Sequence, residues 1–286
     1  MLYPMFEKLT FSASDGHRFD GTLCAASRAT APVLIFFSAL GTPAKVYRRF
    51  GGAIQEQGMH FCAPDWRGID SSSVRASRKT DFGYRHLLEM DMASVVAGVR
   101  QRFPQAPIWL GGHSLGGQLA LLYGATHPEQ VAGVVLIASG TIHMRCYPLS
   151  MRVGIRALLG LAACSRATLG YFPGQRLGFG GREASGVMQD WGHVAHTGRY
   201  EPKGSSVDYE KAIASLTRPV LAINFAADTW APARAGKGLL EKLQAQSAVQ
   251  WCWSAADTNG VALDHFSWLK RPELVAPKVV QFMQAP

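Results

Sequence analysis

The 286-residue chain is 48% apolar and 17% charged, a globular composition that argues against an intrinsically disordered protein. No run approaches the roughly 18 consecutive apolar residues of a membrane-spanning helix, and the richest stretches, 131–138 and 157–163, are far shorter. Lys and Arg number 29 against 20 Asp and Glu, a net charge of +9 that suits anionic substrates or surfaces, but the cations are scattered in pairs such as Arg48-Arg49 and Arg78-Lys79, with no basic cluster, zinc-finger or RNA-binding signature to argue for nucleic acid.

Residues 6–11 and 18–25 read as two antiparallel strands around Asp15-Gly16, a hairpin turn signal. Residues 33–38 are a continuous apolar run, as in a strand buried on both faces. A helix is expected at 46–57 with Gly58 as its stop, a buried strand at 59–64, and a long helix at 84–103 ended by Pro104. A strand at 108–111, a helix at 116–127 halted by Pro128 and a strand at 131–137 follow. This alternation implies a parallel sheet with helices on both faces. Residues 141–217 break the rhythm with helical patterns, glycines, aromatics and a basic excess, but no clear strand. It resumes with a strand at 220–225, a helix at 235–246, a strand at 249–254 and a closing helix at 273–283. The organisation expected is one core built from 1–140 and 218–286, with 141–217 inserted as a cap rather than a second independent domain.

Five cysteines, Cys24, Cys62, Cys146, Cys164 and Cys252, are odd in number and widely spaced. Without a C-x-x-C they predict neither a zinc site nor a thioredoxin-type motif. The first seven residues lack a basic segment followed by an apolar one, so a reducing, cytoplasmic setting is the expectation.

The chemistry is concentrated in Gly111-Gly112-His113-Ser114-Leu115-Gly116-Gly117. Gly112, Ser114 and Gly116 form G-x-S-x-G between a short apolar strand and a helical pattern, the context of a nucleophile elbow. Glycines at those positions keep side chains out of a crowded strand–helix turn that holds the serine strained and exposed. The Leu115 N–H that follows lies at a helix N-terminus and can stabilise an oxyanion. A phosphate-binding loop would need Lys where Gln118 stands, and a dinucleotide fingerprint starting at Gly111 would need Gly at His113. A reactive serine needs a base, and the base an orienting acid. His265 is the one histidine beyond the last strand, just ahead of the closing helix. Asp228, directly after the strand at 220–225, is the best-placed acid, with Asp257 as runner-up; Asp264 is too close to His265 in sequence to reach it well.

On these residues, together with Pro64-Asp65-Trp66-Arg67-Gly68, Pro232 and Phe266, the chain resembles the α/β-hydrolase superfamily, in particular its serine aminopeptidase and monoacylglycerol-lipase-like branch. The resemblance implies an α/β fold with an eight-stranded, mostly parallel sheet, a helical cap after the sixth strand, and a second oxyanion donor after the third. Ser38-Ala39-Leu40-Gly41 stands where many members carry His-Gly, so the donor is the Leu40 N–H with Ala39 as alternative. Asp65 is expected to cap backbone donors and Arg67 to tether loops.

In the insertion, Trp191, His193 and Tyr200 are expected to line a substrate pocket. His193 and His196 with Asp190 have helical spacing, but a metal is not expected, nor is any cofactor. Residues 151–164 read as an apolar cap helix carrying Arg152 and Arg156, or as an interfacial one. The function expected is that of a serine hydrolase cleaving an ester or related acyl bond of a small molecule through Ser114, Asp228 and His265. An acyltransferase using the same residues, or a non-catalytic ligand-binding protein on this fold, is the alternative.

Overall fold

The computed structural model describes residues 6–244 and 247–285. Strands β1 (Phe6–Ser12) and β2 (Arg18–Cys24) form the expected hairpin, and Gly16 takes the left-handed conformation its turn needs, at φ +84°. β3 (Val33–Phe37), β4 (His60–Pro64), β5 (Ile108–His113) and β6 (Gly133–Ile137) are buried at every position. Two short strands, β7 (Tyr171–Pro173) and β8 (Arg182–Ala184), pair in the insertion; β9 (Val220–Phe225) and β10 (Ala248–Trp253) complete the main sheet. Its order is β1-β2-β4-β3-β5-β6-β9-β10. Only the pairings of β2 with β1 and β4 are antiparallel.

The continuous apolar run of β3 shows why this sheet needs cover on both sides. Val33, Ile35 and Phe37 pack into one core with the helices Ala93–Arg102 and Leu115–Thr126. Leu34 and Phe36, pointing the other way, pack with the helices Arg48–Glu56 and Pro272–Met283. Phe36, Phe50 and Trp268 meet there edge to face.

Three expectations are corrected. The segment 84–103 is not one α-helix: a turn at Tyr84–His86 widens into a π-helical stretch, Leu87–Met92, before Ala93–Arg102. That stretch carries Asp91 into a buried polar cluster, the sort of re-aiming that π-bulges permit. The insertion does contain strands, β7 and β8, each only three residues long and too short to show a period of two. The helix expected at 235–246 is Ala233–Leu240, and residues 245 and 246 lie outside the described ones, as do residues 1–5 of the N-terminal reading. The long helix of the insertion is Leu149–Leu169, ended by Gly170 at φ +78°. Among the described residues, no helix is long and apolar enough to cross a membrane.

Below the β4 turn, Arg67 donates to both oxygens of Asp91 at 2.6 and 3.0 Å and of Asp15 at 2.6 and 3.0 Å. His17 bridges Asp91 Oδ1 at 3.0 Å and Ser72 Oγ at 2.9 Å. Arg67, Asp91 and His17 are all buried. Replacing Asp91 with Ala leaves Arg67 with Asp15 alone and His17 without its carboxylate partner, and urea denaturation should show a loss of about 1–3 kcal/mol. The Arg67 hydrogen bonds hold the Asp15 carboxyl down from 3.8 to about 2, against the opposing effect of burial. A lowered carboxyl stabilises the fold above its unfolded value; this contribution is expected to fade as pH falls through about 2 and to be absent in Asp15→Asn, as acid-unfolding curves would show.

Candidate active site

Ser114 connects β5 to the helix Leu115–Thr126 at φ +54°, ψ −118°, a strained conformation for a residue with a Cβ. The close packing around this turn depends on the absence of side chains at Gly112 and Gly116. A Cβ on Gly112 would lie 2.2 Å from the Gly116 carbonyl carbon, and one on Gly116 would lie 2.1 Å from the Phe37 oxygen. The Ser114 N–H donates to Ile137 O at 3.2 Å, and Ser139 Oγ donates to Ser114 O at 2.7 Å. The serine backbone is therefore held by β6 and the residues that follow it.

Asp228 lies just beyond β9 with its side chain fully buried. Its Oδ1 accepts the Trp230 and Ala231 N–H groups at 2.8 and 2.9 Å, and its Oδ2 meets His265 Nδ1 at 2.8 Å. The carboxylate is thus oriented from behind, and the imidazole is held through one nitrogen, leaving Nε2 for the cavity. Ser114 Oγ and the His265 ring are not hydrogen-bonded to each other here; such contacts commonly tighten only in a substrate complex. Asp257 is exposed and spends its carboxylate on Ser254, while Asp264 caps the N–H groups of Phe266 and Ser267. Neither competes with Asp228.

Ser114 and His265 share a cavity of about 410 Å³. Core loops contribute Leu40, Leu115 and Phe266, and the insertion contributes Met151, Ile155 and Trp191. Among the described residues, no Asp, Glu, Lys or Arg lines it. Trp230 and Phe266, each about half exposed, are also on its wall.

Hydrogen bonding distinguishes Ala39 from Leu40. The Ala39 N–H donates to Tyr47 Oη at 2.9 Å, so it is not free to serve a ligand. The Leu40 N–H has no protein acceptor among the described residues, and the Leu115 N–H, at the helix start, has no intrahelical one. Trp66 Nε1 donates to Ser38 O at 2.7 Å and pins the same loop. Tyr47 Oη also lies 2.9 Å from His113 Nδ1. The Tyr47 hydroxyl thus links the Ala39 N–H to the imidazole behind it. Burial holds the His113 pKa well below the ordinary imidazole value, the neighbouring His265 adds to this, and the ring stays neutral.

Of the pocket residues expected in the insertion, the structure brings only Trp191 to the cavity. His193 instead faces outward and pairs with Glu201 at 2.9 Å. Tyr200 is buried behind the wall, where its hydroxyl donates at 3.0 Å to Gln118 Oε1, and Gln118 itself lines the cavity. Asp190 turns away from both histidines to accept the Tyr84 and Lys203 N–H groups at 2.7 and 3.0 Å. Among the described residues, no group of three or more His, Cys, Asp or Glu is placed to hold a metal ion. Asp65 accepts from Ala44 N and Ser71 Oγ at 2.8 and 2.7 Å, the capping role its position suggests. Tyr47, Gln118 and Ser139 escape sequence reading, because no local motif announces a hydrogen bond to a distant loop.

The sheet order and the strained serine turn are those of the α/β-hydrolase fold, and a family model described by that name matches residues 32–159. Within that class the chain is similar to lipases and esterases. The human monoglyceride lipase is 30% identical over 110 residues, covering 38% of this chain and 35% of that protein. The match spans about a third of the length of the curated relatives. The monoacylglycerol lipase of Paleococcus ferrophilus superimposes with a TM-score of 0.61 over 98% of each chain, at 15% identity. Est1E of Butyrivibrio proteoclasticus, solved with ferulic acid, gives 0.66 over 96% of this chain and 98% of that one, at 16% identity. At such identities the structural likeness is one of fold.

Proposed function

We propose that the chain is a serine hydrolase cleaving the ester of a neutral, apolar acyl group. The observation that carries this reading is the convergence of Ser114 and an Asp228-anchored His265 on one uncharged cavity. Ser114 Oγ attacks the acyl carbonyl while His265 Nε2 takes its proton; the same nitrogen then protonates the leaving alcohol. Asp228 fixes the tautomer and stabilises the imidazolium. The Leu40 and Leu115 N–H groups receive the oxyanion, and a water that gives its proton to His265 Nε2 attacks the acyl carbon, the acid leaving as that proton passes to Ser114 Oγ. The insertion acts as a cap supplying the apolar wall. A charged chain would lose its hydration there with nothing to pair it.

A fluorophosphonate probe is expected to label the wild type and not Ser114→Ala; equal labelling would remove the serine from this role. Uncharged acyl esters are expected to be turned over in preference to ω-carboxylated ones, and equal rates would defeat the neutral-chain assignment. Tyr47→Phe leaves the Ala39 N–H and His113 Nδ1 unpaired in the interior, at a cost of about 1–3 kcal/mol in a denaturation curve. It should also lower kcat more than it raises KM, since the loop bearing the Leu40 donor loosens.

A further inference from the structure

We propose that a basic recess on the seam between the insertion and the sheet is a second binding site, one that takes a phosphate group carrying two or more negative charges. The recess measures about 780 Å³ and shares no lining residue with the cavity at Ser114. It is lined by Arg145, from the segment after β6, by Arg234, Lys237 and Lys242, on or just after the helix Ala233–Leu240, and by Arg199. Two carboxylates, Glu210 and Glu241, stand against these five cations. Lys242 pairs with Glu210, Lys237 reaches Glu241 at 3.9 Å, and Arg199 pairs with Glu201 outside the recess. Arg145 and Arg234 are different: both are exposed to solvent, and among the described residues neither side chain makes an ion pair or a hydrogen bond.

Two guanidiniums without a carboxylate partner on one recess repel each other, and each fork is built for bidentate oxygen acceptors. His143 on the same wall senses that field: burial first, then the charges of Arg145 and Lys242, hold its imidazole below the ordinary value. A phosphate monoester or diphosphate supplies the missing charge and enough oxygens for both forks. A carboxylate satisfies only one. The group could belong to a free phosphorylated metabolite or to the headgroup of phosphatidic acid, and the probes below separate the two.

Inorganic pyrophosphate titrated calorimetrically into the full chain tests the free ligand, and co-sedimentation with phosphatidylcholine vesicles, with and without phosphatidic acid, tests the lipid. The variant Arg145→Gln/Arg234→Gln is compared with Arg156→Gln/Arg176→Gln, which removes the same charge from exposed sites elsewhere. Saturable pyrophosphate binding weakened at least about tenfold in the first variant and little in the second establishes the site for a free phosphate. Sedimentation that requires phosphatidic acid and is lost only in the first variant establishes it for the lipid headgroup. Binding of neither probe, or equal weakening in both variants, overturns the proposal, the second outcome reducing the effect to net charge.

Discussion

Ser114→Ala and His265→Ala should each lower kcat for acyl-ester hydrolysis by about 10⁶, with the double variant no slower than either single one. The reason is geometric. Ser114 is useful only while a base can take its proton, and His265 is useful only while a hydroxyl on the cavity wall presents one. Removing either ends the covalent route, so removing the second costs nothing more. What remains is the contribution of the Leu40 and Leu115 donors and of substrate binding, about 10³–10⁴ over water. Single-turnover rates on purified variants would measure this. Losses that multiply in the double variant would show that the two residues act independently and would break the mechanism.

Asp228→Asn should cost about 10⁴ in turnover with little change in stability. The surrounding hydrogen bonds force this result. The N–H groups of Trp230 and Ala231 both donate to Oδ1, so the amide oxygen of an introduced Asn must sit there. Its NH₂ then faces His265 Nδ1, where Oδ2 stands now. The ring has to accept at Nδ1 and carry its hydrogen on Nε2, the nitrogen that should receive the serine proton. A midpoint close to wild type in thermal unfolding, combined with the large fall in kcat, is the expected signature. A fall of less than about tenfold would point to another carboxylate.

How much of this was legible beforehand depended on how local each signal was. The hairpin at Asp15-Gly16 and the uninterrupted runs of β3 and β4 could be read because a buried parallel strand writes itself as consecutive apolar residues. The elbow is readable because G-x-S-x-G spans five residues, and the crowding Gly112 relieves lies within them, although that at Gly116 comes from Phe37 on a neighbouring strand. The insertion was harder. Its hairpin strands are too short to carry a period, and a histidine on a helix says nothing of which face is covered. His193 consequently turned out to face Glu201 and solvent, and Tyr200 to lie behind Gln118, although both were reasonable pocket residues by type.

From its residues alone, then, the chain determines the alternation of strands and helices in the core, the tight turn that glycines at 112 and 116 allow, and which serine, acid and imidazole are available for a common task. Tertiary structure alone decided that Asp228 meets His265, that Tyr47 ties up the Ala39 N–H and leaves that of Leu40 unclaimed, and that two guanidiniums 89 positions apart, Arg145 and Arg234, share one recess. The division has a physical basis: backbone sterics and hydrophobic periodicity act between near neighbours, whereas hydrogen bonds and charge encounters join groups whose separation along the chain carries no record of their distance in space.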